Sequence, residues 1–476
     1  MNLLPICQQN RRCNIYFFAT LFPFVASVIL LQFDMLKAGF LFLILPILFL
    51  LMQSQVAKIY FIIAFFFIQK YSLRLADTIW IFPVDIVFWV AVMYYFFYVV
   101  NQQNKCDDKK GDLRVLFYPY LGFFIICIFS VCFNLYRYDE IMTAFSSWYI
   151  VKCLQLVLVI AMIARLKISD KTIEQIYDAI VFCAVLQFPS AFFQSLSGTD
   201  MTGLLTEHHS YLGTLLIIPF LLSLYKLISS VKNKGRKMIS GCYLVSSMLI
   251  LYMIYGTGSR SALVGLIVSL GLYVISVLFK RDFKMIFLTI TIIVVVAFVS
   301  IRFASLGDVI NRSFNNTESV SSIDISSLSR LLIWKYTWLN FCNFSVATKL
   351  FGIGIGTFAF LKQHFVIWNG NQSFTGAHMN VLHVLVETGI VGLLCFMMVF
   401  GVKIGYLFVY RKLFIAKIAL YMTVALLFSG ISQETFWFQP AFGTLWLFYV
   451  GVIAMIVKQI CLKKRAYGEK GLLKEI

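Results

Sequence analysis

The chain contains five histidines, His208, His209, His364, His378 and His383. Imidazole exchanges a proton near neutral pH, so these residues are the first candidates for acid–base chemistry. His378 stands in Gly376-Ala377-His378-Met379-Asn380, directly before an apolar run that holds His383, Glu387, Gly389 and Gly392. If that run is helical, Glu387 lies about 13 Å beyond His378 at roughly 1.5 Å per residue. His383 and Glu387 are four residues apart and share a helix face. Two readings of His383 stay open: it satisfies a buried acid, or it is a base oriented by Glu387.

Two arginines offer a different chemistry. Arg260 lies in Gly256-Thr257-Gly258-Ser259-Arg260-Ser261, between two apolar runs. The second run would begin with free backbone N–H groups and a positive dipole end beside Arg260, which suits an anion. The same residues also read as a tight Gly/Ser turn with a snorkelling arginine. Arg330 opens Arg330-Leu331-Leu332-Ile333-Trp334. It is either a headgroup anchor beside tryptophans or a phosphate clamp, since the planar guanidinium fork gives two parallel hydrogen bonds. Gly352-Ile353-Gly354-Ile355-Gly356 lacks the strand and helix of a nucleotide loop and reads as a turn. Asp139 and Glu140 read as a solvated pair in a loop, with a site acid as the alternative. No cofactor and no metal site are expected.

These residues must be held by elements that cross a membrane. Of the 476 residues 61% are hydrophobic and 13% charged. A soluble core could not absorb that much apolar surface. Runs of about 17–25 apolar residues recur, the length of a membrane-spanning helix. The pattern predicts an all-α, polytopic transmembrane helical bundle of about 12–14 spans, roughly at 13–32, 37–53, 57–70, 78–100, 115–135, 146–164, 176–195, 210–226, 239–256, 261–279, 285–302, 379–402, 417–434 and 441–459. The ten-residue alternation of a transmembrane barrel is missing. The start of the chain predicts no removable signal peptide.

The net charge of +19 does not point to nucleic acid, because the basic residues are dispersed. Lys105, Lys109, Lys110 and Arg114 fill one short loop, and Lys226, Lys232, Lys234, Arg236 and Lys237 another. With Arg11, Arg12 and the basic tail they mark one side, the cytoplasm by the positive-inside rule. Both termini are expected there.

Three regions follow: helices 1–11 over 1–302, a large outer loop over 303–378, and helices 12–14 with a basic tail over 379–476. The loop begins Ser/Asn-rich and then turns amphipathic around Trp334 and Trp338, which predicts one or two helices at the membrane surface. The histidines fall on its side of the membrane. So do Arg260, Arg302, Arg312, Arg330, Lys335, Lys349 and Lys362, against fewer acids. An outward basic face suits an anionic ligand.

From Leu204 to Trp446 the chain resembles the O-antigen ligase and repeat-unit polymerase family of bacterial membrane glycosyltransferases. The resemblance rests on Gly258-Ser259-Arg260-Ser261, on Ser329-Arg330-Leu331 with Trp334 and Trp338, on Phe351-Gly352-Ile353-Gly354, and on His378-x-Asn380 with Leu382, Leu385, Glu387, Gly389 and Gly392. Glu207-His208-His209-Ser210 resembles the family's upstream outer loop. The family often has Asn directly after the His, whereas here Met379 intervenes.

The resemblance implies that Arg260 and Arg330 grip the diphosphate of an undecaprenyl-linked oligosaccharide and that His378 activates the acceptor. Ser259, Ser261, His208, His209, Asn380, His383 and Glu387 would support them. It also implies an inner-membrane enzyme with a periplasmic active site, membrane lipids as partners, and a chain-length regulator as a further candidate partner. Repeat-unit polymerisation is the favoured activity, ligation to lipid A-core the alternative, and a lipid-oligosaccharide flippase the reading from another class.

Overall fold

The computed structural model describes residues 55–67, 73–76, 79–101, 113–166, 168–199, 201–204, 209–232, 237–278, 325–364, 376–438 and 440–467. The chain folds as helices α1 (Gln55–Phe66), α2 (Pro83–Asn101), α3 (Arg114–Asn134), α4 (Glu140–Arg165), α5 (Asp170–Val185), α6 (Phe188–Leu196), α7 (His209–Lys232), α8 (Lys237–Gly256) and α9 (Arg260–Leu278). There follow α10 (Ile325–Asn343), α11 (Val346–Phe351), α12 (Asn380–Val409), α13 (Phe414–Ser429) and α14 (Pro440–Tyr467). Among the described residues, eight helical stretches are long and apolar enough to cross a membrane. The protein is a polytopic helical bundle.

Several boundaries differ from the sequence reading. The spans expected at 13–32, 37–53 and 285–302 lie outside the described residues, as does most of the Ser/Asn-rich stretch. The span expected at 176–195 is two helices, because Pro189 restarts the chain at the first turn of α6. A short hairpin, β1 (Leu73–Ala76) with β2 (Ile79–Ile81), stands before α2. The two strands pair antiparallel, with Leu73 opposite Ile81 and Arg74 opposite Trp80. The span expected to reach 434 ends at Ser429, and the chain leaves the helix through Gly430.

Local chemistry explains the helix starts. Asp139 accepts the Met142 N–H at 2.7 Å, Ser169 that of Thr172 at 3.1 Å, and Ser345 that of Thr348 at 3.2 Å. Asp139 is thus an N-cap, in keeping with a structural part for the Asp139–Glu140 pair. α7 runs through the centre of the bundle against α5, α8, α9 and α13, while α14 packs on α4 and α3 packs on α12. Lys152 in α4 and Asp85 in α2 form a buried ion pair at 2.5 Å, and Gln155 donates to the same carboxylate oxygen at 3.1 Å. Pairing is what makes such charges tolerable inside a bundle.

The decisive local feature is a break in α12. Gly389 has φ +71° and ψ −172°, a conformation open in practice only to glycine. In a continuous helix the Val386 and Glu387 carbonyls would accept from residues 390 and 391. Instead they accept from the loop after α11, the Ile353 N–H at 3.0 Å and the Gly354 N–H at 2.9 Å. The loop and the break fit only without side chains. A Cβ on Gly352 would collide with the Glu387 carbonyl, and one on Gly389 with the Leu350 carbonyl. α3 clasps the other side of the loop. Ser130 Oγ lies 2.9 Å from the Glu387 carbonyl, Asn134 donates to the Gly352 carbonyl at 3.1 Å, and Tyr138 to that of Ile353 at 2.9 Å.

Gly389→Ala is therefore expected to cost at least ~2 kcal/mol, read as a lowered unfolding temperature of the detergent-solubilised protein. Gly401→Ala is the control, since a Cβ there meets open space on a regular helix. It should be neutral or stabilise by up to ~1 kcal/mol. Equal losses in both variants would show that the break is not a constraint on the fold.

Candidate active site

His378 is the one non-glycine residue with positive φ among those described, at +50°. That left-handed conformation is uncommon for a side-chain-bearing residue and needs support from its surroundings. Glu434, in the loop between α13 and α14, supplies it. One carboxylate oxygen accepts the His378 backbone N–H at 2.5 Å. The other faces His378 Nδ1 at 3.6 Å. The His378 side chain is 39% exposed while Glu434 is 1% exposed, so an accessible imidazole is backed by a buried carboxylate. Burial would raise the Glu434 carboxyl, but the imidazoles of His378 and His383 and the His378 N–H outweigh it and hold the group below the usual carboxylate range.

His383 and Glu387 lie one layer deeper. His383 Nδ1 is 3.1 Å from Glu434 Oε1, and its Nε2 is 3.3 Å from Glu387 Oε1. The ring is buried between Phe358 and Trp437, with centroids at 4.6 and 5.3 Å. Glu387 is saturated. It accepts the Gly356 N–H at 2.9 Å, the Phe358 N–H at 2.8 Å and the Trp437 indole at 3.0 Å, besides facing His383. The three-glycine stretch from Gly352 to Gly356 is a turn, and it serves to deliver backbone donors to this carboxylate. Asn380 locks the two segments together: its N–H donates to the Gly430 carbonyl at 3.1 Å, and its side-chain oxygen accepts the Phe436 N–H at 3.1 Å.

The arginines stand on neighbouring elements. Trp334 in α10 donates its indole N–H to the Ala377 carbonyl at 3.0 Å, next to His378. Arg330, half-buried, is one turn before Trp334 on the same helix face. Arg260 is exposed at the first turn of α9. The turn before it is closed by its own hydroxyls, with Ser259 and Ser261 buried and 3.1 Å apart. A Cβ on Gly213 of α7 would touch Thr257, Ser259 and Ala262. The adjacent Thr214 hydroxyl lies 3.3 Å from the Gln433 side chain. The Arg260 turn and the Glu434 loop therefore border α7 at the same level. His209 begins α7 one turn earlier. His208 lies outside the described residues, as do the side chains of Lys362 and His364.

Sequence reasoning passed over Glu434. Its signal was a lone acid beside Phe436, Trp437 and Phe438, in a stretch assigned to a span end. Among the described residues, Asp85, Lys152, Glu387 and Lys403 are charged-type side chains buried within the bundle. Lys403 Nζ lies over the rings of Phe400 and Tyr449 at 4.0 and 4.3 Å. It has no hydrogen-bond partner among the described residues.

A family model described as O-antigen ligase matches residues 245–397. The match runs from α8 into α12 and takes in Arg260, Arg330, His378, His383 and Glu387, but not Glu434. The matched segment is similar to that family, in agreement with the resemblance read from the sequence. No curated protein matches the chain.

Two outcomes follow from this geometry. Glu387→Ala strands a buried imidazole, an indole and two backbone donors, and should cost about 3–5 kcal/mol in thermal or denaturant unfolding; a loss under ~1 kcal/mol would show that the network is not a structural support. For Glu434 the sign is fixed by a lowered carboxyl. Its stabilisation is complete above the ordinary value of 4.5 and is lost as pH falls through its lowered folded value. The unfolding temperature of the wild type should then drop more steeply on acidification below that point than that of Glu434→Gln, and parallel curves would refute the assignment.

Proposed function

We propose that this chain polymerises lipid-diphosphate-linked oligosaccharide repeat units at the outer face of the bacterial inner membrane. The donor is an undecaprenyl-diphosphate-linked glycan, and the acceptor is a sugar hydroxyl of another lipid-linked repeat. The observation that carries the reading is His378: an accessible imidazole on strained backbone, backed by a buried carboxylate, within a segment of the O-antigen ligase family.

In this reading the acceptor oxygen attacks the anomeric carbon of the donor sugar and its proton passes to His378. The bond from that carbon to the diphosphate oxygen breaks, and the electron pair leaves with the diphosphate. Arg260 and Arg330 stabilise the charge that grows there, where electrostatic help contributes most. A single displacement of this kind inverts the anomeric centre. The periplasmic position of the site and cytoplasmic termini follow from the distribution of basic loops.

The description of the matched family favours a second reading, in which the same chemistry moves a finished glycan onto lipid A-core. Both use one donor and one base, and they differ in the acceptor hydroxyl.

The test is a purified-protein assay with defined lipid-linked repeats, offered with and without lipid A-core. A product ladder without core supports polymerisation, and transfer only to core supports ligation. His378→Ala should lower turnover by about 10²–10⁴-fold, and Arg260→Ala and Arg330→Ala each by about 10²–10³-fold. Full activity in all three variants at equal protein level would overturn the glycosyl-transfer reading. Movement of unaltered lipid-linked repeats across proteoliposomes would support a flippase.

A further inference from the structure

We infer that Glu434 is a positioning residue for proton transfer, and that the buried Glu434–His383–Glu387 group is a fixed countercharge for the imidazolium formed on His378. This rests on the proposed reading of His378 as the base that takes the acceptor proton.

The argument begins with the His383 ring. Both its nitrogens face carboxylate oxygens, Nδ1 toward Glu434 at 3.1 Å and Nε2 toward Glu387 at 3.3 Å. Only the doubly protonated ring offers an N–H on each side. Two carboxylates and one imidazolium leave the buried group one negative charge in excess. A neutral His378 does not compensate it, whereas a His378 that has gained a proton does. The group thus becomes charge-balanced when the acceptor oxygen has given up its hydrogen. A preorganised charge aimed at the charge that develops in the reaction needs no reorganisation at that moment.

Glu434 faces Nδ1 at 3.6 Å, longer than a hydrogen bond, and its charge favours the hydrogen on Nδ1 of the neutral ring, which leaves the Nε2 lone pair for the acceptor hydroxyl. The second Glu434 oxygen holds the His378 backbone N–H and with it the left-handed turn that presents the ring. One carboxylate thereby sets the position, the tautomer and the electrostatic surroundings of the base, the arrangement in which an acid orients an imidazole toward a hydroxyl. Glu434 does not touch substrate in this scheme. The proton that reaches Nε2 leaves to water through the exposed side of the ring.

The test measures kcat and donor KM of Glu434→Gln and Glu434→Asp with a defined lipid-linked repeat as substrate, beside His378→Ala. Glutamine retains an oxygen for the His378 backbone N–H, yet turns an amide N–H toward Nδ1 and so favours the tautomer with its hydrogen on Nε2. Its kcat should fall by about 10³-fold or more, with donor KM within about twofold. Aspartate keeps the charge but withdraws it by one methylene, and should recover part of the loss, with kcat about 10-fold below wild type. A wild-type kcat in either variant, with His378→Ala inactive, would overturn the inference and leave the base in place. Equal rises in KM and falls in kcat for both variants would also overturn it, since that pattern reports a disturbed fold. A fully active His378→Ala would instead remove the reading on which the inference rests. If the glutamine variant does not fold, the aspartate variant decides alone by the same split.

Discussion

Two carbonyls of α12, those of Val386 and Glu387, cannot be satisfied by their own helix once Gly389 turns the chain out of register. Within a membrane-spanning bundle no bulk water takes their place, and each unmet group would cost several kcal/mol. The loop after α11 meets that demand with the N–H groups of Ile353 and Gly354. The rest of the site is built around the accommodation. The same loop carries the Gly356 and Phe358 donors to the Glu387 carboxylate, and Glu387 fixes His383, which fixes Glu434, which holds His378. A break in a helix is thus converted into a rigid chain of polar contacts reaching the solvent-accessible end of the bundle.

Much of the architecture was legible in the sequence for simple physical reasons. Apolar runs of spanning length specify helices without reference to packing. The relation of His383 to Glu387 was legible because four-residue spacing is a local geometric fact. The turn at Gly352–Gly356 was legible as a turn, but its partner was not, since Gly389 and Gly352 are complementary only in three dimensions. Glu434 was hidden for a similar reason. Its importance comes from two histidines about 50 residues earlier in the chain, and a lone acid at the end of an apolar run carries no local sign of what it faces. The hairpin before α2 was missed because three- and four-residue strands are too short to set a period.

The buried charges divide into kinds. Asp85 and Lys152 neutralise each other across α2 and α4, with Gln155 completing the acceptor, and that closed pair has no surplus. The group beneath His378 has two carboxylates to one buried imidazole, and its surplus points at an exposed ring. Charge balance, more than burial, separates these two groups in the bundle. Lys403, packed between two aromatic rings without a carboxylate partner among the described residues, is a third kind, set within α12 well beyond the break.

The reach of Glu387 has a consequence for how the protein is made. Its donors come from Gly356 and Phe358, synthesised earlier, and from Trp437, synthesised 50 residues later. While the ribosome is still threading α13, the carboxylate already lies in a segment bound for the bilayer, without its indole and with His383 lacking Glu434. The site is completed only when the loop following α13 folds back onto the start of α12. An unfinished chain therefore holds His378 without the carboxylate that supports its left-handed backbone.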